Sequence, residues 1–306
     1  MTTTMERPAA VKPASGSKIR NRSLTPWLYL APALALLITF TYVPVGNMVA
    51  YSFTSWDGLD VTMEPVGLDN YVKVVTDERY WRVFLISGYY FAASFVQIAI
   101  ALYFAVILSF STRFRNLFKG ILFFPYLLNG VAVGFVFLYL FQPDGTLDTV
   151  LRWVGLGDHT KFWLGDPDIA NISLAGTSVW RFTGLSFVLF LGAIQSIPSE
   201  IYEAAEIDGA GDWHKFRHII VPGIRRIISL SFILAISGSL SVFEIPFIMT
   251  GGANGTRTFV VQAYETAFQF RQIGLASAMA VVLLLIVLLI TWFQRRLVPD
   301  EEVTLS

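Results

Sequence analysis

Residues 274–293 read GLASAMAVVLLLIVLLITWF, twenty consecutive positions without a charged side chain. An α-helix needs about 20 apolar residues to cross the hydrocarbon layer of a bilayer. Helix is also the form that keeps each backbone amide bonded where lipid supplies no partner. Working outward from this stretch, five further apolar runs meet the same description, at roughly 27–53, 83–110, 120–141, 172–194 and 227–250. Together they predict an all-α integral membrane protein with about six transmembrane helices. Pro44, Pro125, Gly184 and Pro246 fall inside these runs and mark expected breaks. Such breaks are tolerated where neighbouring helices or a cavity satisfy the freed backbone groups.

Composition agrees. Of 306 residues 55% are hydrophobic and 14% charged, against about a quarter charged in a soluble domain. The formal net charge is zero, so no global field argues for a nucleic-acid partner. The absence of cysteine excludes disulfides, thiolate metal sites and cysteine nucleophiles together. Three histidines, His159, His214 and His218, are too few for a histidine-rich metal centre, and the last two read as a solvated loop pair. Neither a resident metal nor a catalytic residue is expected.

Lys and Arg set the orientation. The N-terminus, the second-to-third and fourth-to-fifth connections and the C-terminus together carry fourteen, and the opposite connections seven. Both termini are therefore expected in the cytoplasm. The chain divides into a disordered cytoplasmic tail (1–25), a six-span domain (26–297) and a cytoplasmic C-terminal tail (298–306). Ala31-Pro32-Ala33 imitates a signal-cleavage site but precedes most of its apolar run, so the first span is retained. The outer connections, about 54–81 and 142–170, are too short for separate domains. Their tryptophans, Trp56, Trp81, Trp153 and Trp163, are expected to anchor short amphipathic elements at the interface.

The connection at 198–222 reads PSEIYEAAEIDGAGDWHKFRHIIVP. It suggests two short helices around a tight corner: Ser199 as N-cap, Gly209 in the left-handed conformation, Asp212 capping the second helix, and Pro222 opening the fifth span. The Glu-Ala-Ala run leaves a small-residue surface that another protein can approach closely. The segment resembles the cytoplasmic EAA loop of ABC-importer permeases, in which Glu-Ala-Ala, Gly, Ile and Leu-Pro recur at fixed spacing. Here those elements are Glu203-Ala204-Ala205, Gly209, Ile219 and Val221-Pro222, with Val221 the one departure. Asp208-Gly209-Ala210 and Phe216 look like the carbohydrate-permease variant. Leu30-Ala31-Pro32-Ala33, Val66-Gly67-Leu68-Asp69-Asn70-Tyr71, Phe124-Pro125-Tyr126 and Thr250-Gly251-Gly252 extend the likeness to the maltose-type first permease over about residues 25–297. The extra N-terminal spans and large outer domain of the maltose protein have no counterpart here.

The resemblance implies a multi-pass subunit of the bacterial inner membrane that forms half of a translocation pathway for a sugar or sugar-like solute. It implies a homologous second permease, two ATPase subunits and an extracytoplasmic solute-binding protein as partners. No Gly-x-x-x-x-Gly-Lys-Ser/Thr loop occurs, so ATP and Mg are expected on the ATPase subunits. Glu203, Ala204, Ala205, Asp208, Gly209, Ala210, Phe216 and Pro222 are the candidate ATPase-coupling residues. For the solute pathway the candidates are Arg181 and Glu244, ionisable groups that are costly inside a span, with Trp180, Thr183 and Ser241 near them in sequence. The likeness to the maltose permease implies that Asn129 and Ser178 lie close to its ligand-contacting stretch. Arg181 and Glu244 allow two roles, ligand contact or a structural ion pair. Gly130 with Gly134, and Ala276 with Ala280, are spaced for close helix contacts. A secondary transporter or channel is the alternative reading, though neither needs a Glu-Ala-Ala loop. Disaccharide, oligosaccharide, polyol and glycerol phosphate all remain open as cargo.

Overall fold

The structure, a computed structural model, describes residues 25–110 and 115–297. Of the tails expected at 1–25 and 298–306, residues 1–24 and 298–306 lie outside the described residues, and Thr25 is the first residue of a helix. Among the described residues five helices are long and apolar enough to cross a membrane, and a bent pair adds a sixth candidate. The chain divides into two compact units, Met1–Gly46 and Asn47–Ser306. The first contains most of helix α1 (Trp27–Tyr51). Its ladder widens to a π turn at Ile38–Tyr42. Pro44 has no amide hydrogen and its ring crowds the carbonyl four residues back; widening the preceding turn is the usual accommodation.

The second unit begins with a tie between the outer connection and the end of α1. Short helices α2 (Asp69–Thr76) and α3 (Glu78–Trp81) follow an extended segment. Buried Asn70 donates to the carbonyls of Ser52 and Thr54 at 2.9 and 2.8 Å, and the Tyr71 hydroxyl meets Ser52 Oγ at 2.6 Å. The Asn-Tyr pair singled out in the sequence thus fixes where the chain leaves the first span.

Helix α4 (Val83–Ser109) buries Ser87, Tyr90, Ser94, Ile98, Ala101, Ala105 and Leu108. Successive spacings of three and four place all seven on one face. The face is polar and small toward one end and apolar toward the other, which inverts the soluble pattern because lipid already solvates the apolar exterior.

The third apolar run is not one helix. Helices α5 (Arg115–Leu127) and α6 (Gly130–Leu140) meet at 97°. The run expected at 120–141, with Pro125 as its break, is thus a sharply bent helix pair whose break falls at 128–129. Asn129 causes the restart: its backbone is extended and its side chain accepts from the Val131 amide, capping α6. Helix α7 (Thr146–Trp153) follows in the second outer connection. There Trp163 Nε1 donates to buried Asp148 at 2.8 Å, tying the connection together.

Helix α8 (Pro167–Gln195) is the central element, buried along much of its length. Gly184 does not break it. A Cβ there would stand 2.5 Å from the Leu122 carbonyl oxygen of α5, so the glycine allows two backbones to touch. Beyond α8 come α9 (Ser199–Ile207) and α10 (Asp212–Lys215), the latter continuing through a π turn at Phe216–Ile220. Helices α11 (Arg225–Leu240) and α12 (Glu244–Thr250) form the fifth candidate span with an irregular link at 241–243. Helix α13 (Phe259–Phe268) precedes the last span, α14 (Ile273–Leu297). Gly134 of α6 lies against Ile248 of α12, a close helix contact as the glycine pair predicts.

Leu108, Ile194, Ile220 and Ile224 share one core cluster. The ends of α4 and α8 and the start of α11 are thus together. Tyr202 of α9 reaches the same end, with its ring 5.9 Å from that of Phe110.

Gly184→Val should force α5 away from α8 at an overpacking cost of about 1–3 kcal/mol. Detergent-extracted protein should show at least a halved monodisperse peak on size-exclusion chromatography. Gly88→Ala, with no atom within 4 Å of the added carbon, should leave that peak unchanged.

Candidate functional site

A cavity of about 560 Å³ lies between α4, α8, α11 and α12. From α4 it receives Tyr90, Ser94 and Gln97, and from α8 Ser178, Arg181, Phe182 and Ser186. Helix α11 and the irregular link contribute Ser231, Ser239, Ser241 and Phe243, and Glu244 opens α12. Four of the seven pathway candidates therefore line one cavity: Ser178, Arg181, Ser241 and Glu244. The other three do not. Asn129 caps α6. Trp180 packs its ring 5.1 Å from Phe137. Thr183 turns its hydroxyl back to the Val179 carbonyl at 2.6 Å.

Arg181 Nη1 and Glu244 Oε2 are 2.7 Å apart, so the two intramembrane charges are paired. Both also line the cavity, and the two roles expected as alternatives coincide in position. The pair rests directly on Gly130, where a Cβ would stand 1.6 Å from Glu244 Oε2 and 2.4 Å from Arg181 Nη1. Gly130 is the first residue of α6, just past the bend. Its missing side chain lets a carboxylate approach the positive end of a helix, a favourable placement for a negative group. Thus α6, α8 and α12 converge on one ion pair.

Several polar groups in the cavity have no protein partner. The Tyr90 and Ser231 hydroxyls and Arg181 Nε are buried without a hydrogen bond among the described residues. Ser94, Ser178 and Ser239 instead donate to carbonyls on their own helices, those of Phe91, Leu174 and Ile236. Gln97 spans from α4 to α8, donating to Ser186 Oγ at 3.0 Å and to the Phe182 carbonyl at 3.3 Å. Tyr90, Ser94 and Gln97 are absent from the sequence candidates. Their signal was present in the polar spacing 87, 90, 94, 97 within an otherwise apolar run.

The 198–222 segment forms the expected corner, with different caps. Pro198 precedes α9, and Ser199 is its first residue and makes no capping bond. Gly211, not Asp212, precedes α10. Pro222 lies in a separate short turn, Val221–Gly223, before the fifth span begins at Arg225. Gly209 is left-handed as expected, at φ +78°. The Gly209 amide bonds the Glu206 carbonyl and the Ala210 amide bonds the Ala205 carbonyl, at 3.0 and 2.8 Å. This is the paired closure of a Schellman motif.

Lys215 locks the corner. Its ammonium lies 3.0 Å from Glu206 and 3.2 Å from Asp212, joining the end of α9 to the start of α10. Hydrogen bonds to Glu206 and then Asp212 raise its pKa above the usual lysine value. Glu203, Ala204, Asp208, Gly209 and Pro222 are exposed, while Ala205, Ala210 and Phe216 are half-buried. His214 and His218 are exposed with stacked rings. No group of acidic, histidine or cysteine side chains suited to a metal ion occurs among the described residues.

Comparison with known proteins places this architecture. The sequence pattern of the family described as "binding-protein-dependent transport system inner membrane component" matches residues 97–302. The "Probable ABC transporter permease protein YurN" of Bacillus subtilis is 31% identical over 284 residues, covering 91% of this chain and 97% of that one. The "multiple sugar-binding transport system permease protein MsmF" of Streptococcus mutans is 31% identical over 280 residues, covering 90% and 96%. In three dimensions, a chain of a bacterial alginate ABC transporter, solved with its alginate-bound periplasmic protein, superposes with TM-score 0.77. That likeness covers 90% of this chain and 94% of the other at 20% identity, and speaks to the fold. A broken third span, a Schellman corner between the fourth and fifth, and these matches lead to one conclusion: the chain belongs to the family of binding-protein-dependent transport system inner membrane components.

Proposed function

We propose that this ABC-importer subunit forms half of the translocation pathway for a sugar or sugar-like solute, with its 198–222 corner seated on an ATPase subunit. The carrying observation is the corner itself. Ala204 and Gly209 form an exposed small-residue surface, held rigid by the Lys215 lock, at the end where α4, α8 and α11 gather. A partner's motion applied there would reach three spans at once. The basic connections put this end in the cytoplasm, where ATPase subunits carrying ATP and Mg would bind. A homologous second permease would supply the other half of the pathway, and an extracytoplasmic solute-binding protein would deliver the cargo. The bacterial inner membrane is the location that follows.

A carbohydrate cargo is supported by the chemistry of the cavity. Clustered serines, a tyrosine and an amide offer many hydroxyl-scale contacts, and Phe182 and Phe243 offer apolar ring faces. Its volume falls in the range of small-molecule sites. Relatives named for sugar uptake, including the lactose permease LacF of Rhizobium radiobacter and the diacetylchitobiose permease NgcF of Streptomyces coelicolor, support the same class.

Purification in mild detergent should bring down a second permease and two ATPase subunits. ATP-independent uptake by this chain alone in liposomes would defeat the proposal. Ala204→Trp should obstruct docking at the exposed surface. Gly209→Val should strain the corner, since a left-handed residue with a Cβ costs roughly 1–2 kcal/mol and β-branching adds to it. Each should lower ligand-stimulated ATP hydrolysis at least fivefold with insertion intact. Full activity in both variants would count against coupling at this corner.

The ion pair gives an asymmetric expectation. The Arg181 side chain is 15% exposed and that of Glu244 48%. Removing Glu244 strands the more buried charge, so Glu244→Gln should reduce assembled complex more than Arg181→Gln does. The double variant should recover much of that loss. Gly130→Ala, which changes neither charge, should displace the pair and lower the yield similarly. Equal, wild-type yields across the set would remove the pair's structural role.

A further inference from the structure

We propose that Glu244 makes the cavity selective for uncharged, hydroxyl-rich cargo over anionic cargo such as uronates or sugar phosphates. The inference rests on the reading of this cavity as the solute site and goes on to its charge preference. A lone arginine in such a place would be an anion receptor, because guanidinium bonds carboxylate and phosphate strongly. Here that guanidinium is already neutralised. Arg181 and Glu244 are the lining residues with formal charge, and they cancel at 2.7 Å.

Access decides which of the two an arriving ligand meets. Glu244 is the more exposed partner, at 48% against 15% for Arg181, whose guanidinium lies over the Phe182 ring at 5.0 Å. An anion therefore encounters a carboxylate before it reaches the cation. Repulsion between like charges strengthens as the local dielectric falls below that of water. Gly130 makes the arrangement firm, because the pair occupies the space where a side chain would stand.

The neutral groups point the same way. Tyr90, Ser231 and Arg181 Nε hold donors without a partner among the described residues, buried just behind the lining surface and reached by a ligand that displaces a neighbouring side chain. Ser94, Ser178 and Ser239 have committed their protons to their own helices and present lone pairs. A sugar hydroxyl both donates and accepts, so it can satisfy both sets. Carboxylate and phosphate oxygens only accept. Where such a group replaces a hydroxyl, it leaves a serine lone pair without a donor and sets a negative charge against Glu244. A buried polar group left unmatched weakens binding.

The test uses the complete transporter in nanodiscs, without a solute-binding protein, so that the permease's own preference is read. It is offered cellotriose, trigalacturonate and the cationic trimer of glucosamine at equal millimolar concentration, and retained sugar is identified by native mass spectrometry. Wild type should retain cellotriose at least tenfold over trigalacturonate. Glu244→Gln frees the guanidinium and should raise the trigalacturonate-to-cellotriose ratio at least tenfold. Arg181→Gln leaves the carboxylate alone and should shift preference toward the glucosamine trimer, which keeps the test decisive if Glu244→Gln fails to assemble. Equal retention of cellotriose and trigalacturonate by wild type would overturn the proposal, as would ratios unmoved in the variants that assemble. Retention of no trimer by wild type and variants would overturn the carbohydrate reading, and this inference with it.

Discussion

Ionised side chains in hydrocarbon must be paired or watered, and this constraint organises the membrane interior of the protein. Arg181 sits mid-helix in a span that is otherwise free of charge between Pro167 and Gln195 except for Asp168. Its partner comes from the first residue of α12, and the space for both comes from the first residue of α6. Three helices are positioned by one contact. The bend between α5 and α6, the irregular link before α12 and the polar stripe on α4 all surround that point. Each exposes backbone or hydroxyl groups that only a cavity or a neighbouring helix can satisfy.

Much of this was legible in the sequence, and the exceptions have physical reasons. The six apolar runs are visible because lipid demands length and apolarity in series. The left-handed Gly209 is visible because few other residues tolerate that backbone. The break in the third run was partly hidden: Pro125 announces a disturbance, but it stays inside α5 and the turn is made at Asn129. Asn129 stands among the pathway candidates through its place after Pro125 and its likeness in position to the maltose permease, and in the structure its side-chain oxygen caps a new helix. Trp180 and Thr183 were chosen for standing beside Arg181 in sequence. Neighbours on a helix point about 100° apart, so adjacency along the chain is a poor guide to a shared cavity. Tyr90, Ser94 and Gln97 were overlooked for a related reason: each alone reads as a tolerated polar residue, and their common face emerges from the three- and four-residue spacing.

The corner departs from expectation only in its caps. Ser199 and Asp212 have suitable chemistry but each stands one position too far along, as the first residue of its helix. Asp212 instead bonds Lys215. The Schellman bonds close the end of α9 and the ammonium bridge joins it to α10, while neither helix start has a side-chain cap from the residue before it. Capping preferences identify residues that can serve a helix end; the position of the preceding proline or glycine decides whether they do.

Among the described residues, the polar bonds that close the corner run between residues 205 and 215. A shape closed within so short a loop pays little chain entropy to form. Its helices are short, and most helical stability in proteins comes from packing: Tyr202 and Phe216 seat the corner on the core cluster shared by the ends of α4 and α8. A surface already closed spares a docking partner the ordering cost of association. The corner is thereby a preformed patch rooted in the spans, not a loop that a partner must first shape.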